Sequence, residues 1–409
     1  MKLSLFSCAL ALVAIVASAA DDLIRGPDGR IRTTAQHDSI QSDADTNVQC
    51  QQQNSGYLSS LKAGSYATST FHNCFHKTAQ IYEFVDALVA QNPSLLTKFP
   101  ISKTFNGATI YGYKLSKGNA QSLYFQAVQH AREWVAGSSI LYSLSYVLDD
   151  IANGKTTAAD QYDLYFVPLV NLDGYEITWT SDRYRRTSAN QVDLNRNWPT
   201  PYTNPNPPSV GDETYPGPNA LSEPETSGIN TWLQSKRSEI AGIVDLHTYA
   251  GLILYAYGDT STPIGNGYDA KFEALGQGMK AVMGSGYTQQ HAYQLYLAYG
   301  VFPDYAFRNL TKPAITIEII GSDFVAPAST IRTRGQEIYK GLTQFATEVT
   351  KFNGGSTNPP VTTPKPTSSS PSTTKPTTAP STTKPTPAPT TAKPTATPRT
   401  TKPTTAAPP

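Results

Sequence analysis

Ile240-Ala241-Gly242-Ile243-Val244-Asp245-Leu246-His247-Thr248-Tyr249 is an apolar run that ends in two polar side chains, Asp245 and His247. Its first part, 240–246, has the near-continuous apolar character of a strand covered on both faces. Residues 162–170 form a second such run and 314–320 a third, the last interrupted by Glu318. Residues 109–115 and 123–128 also read as strands. Helical patterns lie among them. Residues 76–91 carry a stripe of Ile81, Phe84, Val85, Leu88 and Val89 that stops at Asn92-Pro93. Residues 134–151 are apolar enough for a buried helix. Residues 222–233 open on Ser-Glu-Pro-Glu, with Pro in the first turn and acids at the positive end of the dipole. A last helix covers 329–349. Strands alternating with helices predict an α/β domain over 66–353, with a central mixed, largely parallel sheet and helices on both faces. Ligands in such sheets bind beyond the carboxyl ends of strands. His130 follows one strand, His247 ends another, and Glu318 sits near the end of a third.

The ends of the chain read differently. Lys2 precedes an apolar run from Leu3 to Ala17 and the small-residue stretch Ala17-Ser18-Ala19, which predicts a signal peptide over 1–19, too short to span a bilayer. Residues 20–65 are too few for a globular domain of their own and read as a short propeptide or leader. Cys8 falls in the signal peptide, which leaves Cys50 and Cys74 as an even pair, expected to form one disulfide in an oxidising compartment. From 354 to 409 the composition collapses to Thr, Ser, Pro, Ala and Lys, with Lys-Pro-Thr recurring at Lys365, Lys375, Lys384 and Lys393. Such a segment buries too little apolar surface to offset chain entropy. It is expected to be disordered and extended, a candidate O-glycosylated stalk contacting cell wall or matrix. Asn309-Leu310-Thr311 is an N-glycosylation sequon, usable if exposed. The formal net charge of +1 argues against nucleic acid as a partner. A secreted, extracellular monomer is expected.

Two histidines and a glutamate, His130, Glu133 and His247, form a candidate metal shell with one position open, the layout of a catalytic zinc. His130 and Glu133 flank a strand-to-helix junction, so their spacing alone does not prove a shared ion; His247 on a separate buried strand strengthens it. Glu318, alone between Ile317 and Ile319, is costly to bury without a partner or a function, and is a candidate general base.

With these residues in view, the chain resembles the secreted zinc metallocarboxypeptidases of the carboxypeptidase A/B-like group over nearly all of 71–352. The matching motifs are His130-Ala-Arg-Glu133-Trp134, Asn171-Leu-Asp-Gly-Tyr175, Asp193-Leu-Asn-Arg-Asn-Trp198, Ser222-Glu-Pro-Glu225, Asp245-Leu-His247-Thr-Tyr249, Tyr296, Asp304 and Glu318, in matching order. The resemblance implies hydrolysis of the C-terminal bond of peptides and proteins, with one zinc per molecule on His130, Glu133 and His247. It implies Glu318 as general acid/base toward a zinc-activated water, and Asp193 as the acid that orients a ligand histidine. Asn195 and Arg196 match the clamp for the substrate carboxylate. Tyr296 matches the tyrosine that closes over it, and Arg132 and Tyr249 the next subsite outward. Arg185 aligns with the arginine that stabilises the oxyanion, and Arg186 is its alternative, because the segment after Tyr184 is short and Tyr184 itself replaces the usual Trp. Asn171-Leu172 and Asp304-Tyr305 likewise depart from the usual Asn-Pro and Asp-Trp.

The same alignment assigns Leu254, Gly258, Ala298, Pro303 and Thr316 to the pocket for the C-terminal side chain. None is charged, and Pro303 stands where basic-specific relatives carry an acid, so apolar or aromatic C-termini are expected and basic ones are the alternative. A non-catalytic wall-associated protein that kept the fold is the competing reading; the survival of ligands, base and arginines together argues against it.

Overall fold

The computed structural model describes residues 23–25 and 31–355. The expected signal peptide, and the Thr/Ser/Pro-rich tail apart from Gly354 and Gly355, lie outside the described residues. No helix of the described residues is long and apolar enough to cross a membrane.

An eight-stranded sheet forms the centre. Its strands are β3 (Leu96–Lys103), β4 (Thr109–Leu115), β5 (Ser122–Ala127), β6 (Asp163–Val167), β7 (Ile240–Thr248), β8 (Leu252–Tyr255), β9 (Thr288–His291) and β10 (Ala314–Ile319). They lie in the order β3-β4-β6-β5-β7-β10-β8-β9. The pairs β6–β5, β5–β7, β7–β10 and β8–β9 are parallel; β3–β4, β4–β6 and β10–β8 are antiparallel. The mixed, largely parallel sheet is therefore present. Every residue of β5, β6 and β7 is buried, as two covered faces require.

Helices α2 (Thr78–Gln91), α3 (Trp134–Ala152), α4 (Leu172–Thr180), α5 (Pro224–Ser235), α6 (Tyr268–Met283), α7 (Phe302–Leu310) and α8 (Ile331–Phe352) complete the body around the sheet. The expected strand over 162–170 stops at Val167, since Pro168 donates no N–H to a ladder; Asn171 then caps α4 by accepting from Gly174 N–H at 3.0 Å. Helices α3 and α8 pack so closely that a Cβ on Gly335 would lie 2.4 Å from Tyr142 Cγ. A larger residue there forces the two helices apart.

The described residues before the body form further elements. A short hairpin of β1 (Leu23–Arg25) and β2 (Ile31–Thr33) leads into α1 (Thr34–Gln53). Cys50 and Cys74 are disulfide-bonded, their Cα atoms 5.9 Å apart.

The start of α5 carries an acid at odds with its surroundings. Glu225 is fully buried; one carboxylate oxygen accepts from Phe105 N–H at 2.9 Å and the other has no hydrogen-bond partner. Burial pushes its carboxyl up to about 7, with Glu223 and Asp173 adding to the effect and the N–H of Phe105 opposing it. Between the ordinary value of 4.5 and about 7 the folded chain holds a proton that the unfolded chain has released. Stability from this group is thus lost as pH rises through that window. Glu225→Gln is expected to raise Tm by about 2–6 °C at pH 8 and to change it little at pH 5, checked by thermal melts at both.

Candidate active site

β5, β7 and β10 deliver the central residues to one end of the sheet. The parallel register sets Glu318 beside His247 and Gln126 beside Asp245. His130 lies just past the end of β5, and Glu133 is the residue before α3, so the chain's turn from strand to helix brings both to the tip of β7.

His130, Glu133 and His247 are all buried, with one ligand atom of each within 4.8 Å of the others. The two Nδ1 atoms face each other at 3.0 Å. The Glu133 carboxylate stands 2.8 Å from Nδ1 of His130 and 3.1 Å from Nδ1 of His247. The outward nitrogens are tied to acids: His130 Nε2 to Asp193 at 3.1 Å and His247 Nε2 to Asp245 at 2.7 Å. An imidazole that donates Nε2–H to a carboxylate presents its Nδ1 lone pair inward. Two inward lone pairs and a carboxylate converging on one point fit a divalent cation such as zinc.

The electrostatics agree. Burial opposes charge on His247, yet Asp245 and then Glu133 overcome it and hold the imidazole well above its ordinary range. Burial likewise opposes ionisation of Glu133, but His130 and His247 keep its carboxyl well below the usual range. The cluster is built for net positive charge at its centre.

Asp193 joins two parts of the site. One oxygen meets His130, and the other accepts from Arg186 Nε at 2.8 Å. Burial raises its proton affinity, but Arg186, His130 and Arg196 more than reverse that and hold it ionised. Arg186 is itself kept charged against burial, chiefly by Asp193.

A cavity of about 290 Å³ opens over this cluster. His130, Glu133, Arg132, Arg186, Asn195, Arg196, Tyr249, Tyr296 and Glu318 line it, as do Leu254, Ala298, Pro303 and Thr316. Asn195 Oδ1 accepts from Phe302 N–H at 2.8 Å, which fixes the orientation of its amide. Arg196 donates to Asn195 O at 2.7 Å and to the hydroxyl of Tyr296 at 3.1 Å; Tyr296 is 55% exposed. The Arg132 guanidinium lies 4.0 Å over the Phe324 ring. Glu318 is partly buried, and among the described residues its carboxyl makes no hydrogen bond or ion pair.

Two expected positions fall outside the cavity. Arg185 folds back on its own loop, donating to Thr187 O at 3.3 Å and Ser188 O at 2.6 Å, so Arg186 is the arginine beside Glu133 and Glu318. The reason is local: Asp193 is buried and needs a cation, and Arg186 supplies it. Gly258 lies beneath the loop that carries Ala298, accepting from Ala298 N–H at 2.9 Å and donating to Asp304 at 2.8 Å. Asp304 reaches the cavity floor but is spent on the N–H groups of Gly258 and Asp259, with Arg308 3.9 Å away. Burial, and then Asp259, push its carboxyl up to about 7. The sequon asparagine, Asn309, sits in α7 with its amide donating to Tyr305 at 3.1 Å and accepting from Arg237 at 2.6 Å. Asp245, which holds Nε2 of His247, carries no assigned role in the sequence. Its signal was present, since residues i and i+2 of a strand share a face and place the acid beside the imidazole of His247.

Comparison with known proteins agrees with this geometry. The family model described as zinc carboxypeptidase matches residues 81–341. Carboxypeptidase A1 of Rattus norvegicus is 29% identical over 310 residues, covering 70% of this chain and 73% of the relative. A zinc carboxypeptidase of Simulium vittatum is 31% identical over 282 residues, covering 64% of this chain and 92% of the relative. The crystal structure of carboxypeptidase A from Helicoverpa armigera shares the fold with a TM-score of 0.66 at 21% identity, covering 79% of this chain and 83% of that one. With the matched family spanning most of the chain and the metal shell intact, the protein belongs to the zinc carboxypeptidase family and is a metallocarboxypeptidase.

Proposed function

We propose that this protein is an exported carboxypeptidase that removes apolar or aromatic residues from the C-termini of peptides and proteins. The observation that carries this reading is one cavity lined by His130 and Glu133 of the His130–Glu133–His247 cluster, by Glu318 and by three arginines. Residues 66–353 are the catalytic domain, and the Cys50–Cys74 bond fits an extracellular setting. When bound by the three ligands, zinc polarises the scissile carbonyl and acidifies water. Arg196 with Asn195 takes the terminal carboxylate of the substrate, and Tyr296 closes over it. Glu318 takes a proton from the attacking water as the new C–O bond forms. It then returns that proton to the leaving nitrogen as the C–N bond breaks, so a carboxylic acid and a free amino acid result. Arg186 donates to the carbonyl oxygen as it gains charge. Arg186→Ala is therefore expected to lower kcat by about 10²–10³-fold, while Arg185→Ala changes it less than about threefold; the kcat and KM of the two variants decide which arginine serves.

Specificity follows from the pocket. Leu254, Ala298, Pro303 and Thr316 offer no counter-charge, and the Asp304 carboxylate is already occupied by two backbone N–H groups. An unpaired Lys or Arg would pay desolvation there. A buried apolar side chain gains roughly 1.5–3 kcal/mol. Two peptides identical except for C-terminal Phe or Arg test this: the Phe peptide is expected to have a kcat/KM about 10-fold or more higher. Faster release of Arg would overturn the specificity and leave the metal chemistry standing.

A further inference from the structure

The segment ahead of the catalytic body is built into a wall of the cleft. On α1, Ile40, Asp43, Asn47 and Gln51 are all buried, a spacing of three and four that places them on one helical face. Ile40 packs with Tyr184 and Phe324, and Tyr249 rests on the same cluster. Asn47 accepts from Phe75 N–H at 3.1 Å and Gln51 donates to Phe75 O at 2.6 Å, next to the Cys50–Cys74 disulfide.

Asp43 does the most specific work on that face. It accepts from Arg183 Nε at 2.6 Å, and both side chains are buried. The same guanidinium donates to Arg132 O at 2.9 Å and to Phe324 O at 3.2 Å, and lies 3.7 Å over the Trp134 ring. Arg132 and Phe324 line the cavity. One carboxylate of α1 thus orients the cation that ties two separate cleft-lining stretches together. On the hairpin side, Arg32 lies 4.5 Å over the Tyr184 ring and 3.6 Å from Asp323. Removing this segment would take away the one carboxylate that pairs with Arg183 and leave its guanidinium held by the two carbonyls and the Trp134 ring alone.

We propose that residues 31–53 stay in the active enzyme, and that Asp43 is a positioning residue for the outer subsites. Through Arg183 it sets the Arg132–Phe324 wall on which residues upstream of the scissile bond lie, so it favours longer peptides. This rests on the carboxypeptidase reading above.

Two measurements test it. The first is the mass of the secreted, active protein with and without reduction. Residues 31–53 should be retained, either continuous with the body or held through Cys50–Cys74. Active protein that begins after Cys50 overturns the proposal, and this readout does not depend on the substrate assigned. The second compares Asp43→Asn with the parent on Phe-terminated substrates of two, four and six residues. The six-residue substrate should lose roughly tenfold in kcat/KM, carried by KM, with a loss at least fivefold smaller on the two-residue one. Asp43→Glu should regain part of it. Equal losses at every length, no loss, or a gain overturn the proposal. Should Asp43→Asn fail to accumulate, a cleavage site at the exposed Ser59-Ser60, cut and reduced in the folded protein, gives the same comparison with the same outcomes. A parent protein inactive on all three lengths refutes the carboxypeptidase reading, while the mass still decides whether the segment stays.

Discussion

Stripped of metal by phenanthroline, the protein is expected to lose peptide hydrolysis to background and to regain it with one equivalent of zinc. The two Nδ1 atoms stand 3.0 Å apart beside the Glu133 carboxylate. Without a cation, the site relieves that crowding by holding a proton on His247, which Asp245 and Glu133 keep well above its ordinary range despite burial. Zinc must displace that proton, because only the neutral ring offers its lone pair. Zinc uptake is therefore expected to release protons, and its apparent affinity to fall on acidification. Calorimetry in two buffers of different ionisation enthalpy measures the first, and titrations at pH 6 and 8 the second. The loaded protein should also melt higher, since a ligand at a hundred times its Kd adds about 2.7 kcal/mol to the folded state. Full activity after verified metal removal, or zinc uptake without proton release, would refute this account of the site.

The parts of the molecule that could be read from the chain are those where one local rule dominates. Residues of β7 and α3 are largely apolar, so both elements are evident within two residues of their observed ends. The metal shell was readable because His and Glu at strand ends are unusual company for apolar neighbours. Other elements hid for identifiable reasons. β3 contains Pro100 and a register shift beside it, features of an edge strand that obscure alternation. α6 buries Phe272, Leu275, Met279 and Met283, but Gly276 and Gly278 weaken its helical pattern. α1 has little apolar content and is seated by Asp43, Asn47 and Gln51, whose partners Arg183 and Phe75 lie far along the chain. Which of Arg185 and Arg186 lines the cavity was beyond the sequence for the same reason: the fold turns inward the one that neutralises Asp193. Gly258 looked like pocket lining by alignment, yet backbone bonds to Ala298 and Asp304 place it one layer below.

Glu318→Gln is expected to keep the metal and the substrate but lose about 10³-fold or more of kcat. Glutamine has nearly the same shape, so β10 keeps its pairing with β7 and the neighbouring His247 is undisturbed. What disappears is the ability to take and return a proton. Burial pushes the Glu318 carboxyl up to about 7; Glu133 and Asp245 add to this, and His247 and Arg186 oppose it. A proton affinity near that of the working pH suits a group that must act first as base and then as acid. The base has to be ionised, so kcat/KM should fall as pH drops through its pKa. A dication on the adjacent ligands favours the ionised form, which sets that acid limb at or below about 7. In the variant the acid limb should vanish from whatever activity remains. Zinc content, the Kd of a non-hydrolysed C-terminal analogue, and kcat across pH 5–9 separate the possibilities. A variant that retains metal and ligand binding at full turnover would remove Glu318 from the chemistry. One that loses its metal as well would show instead that the carboxylate holds the site together.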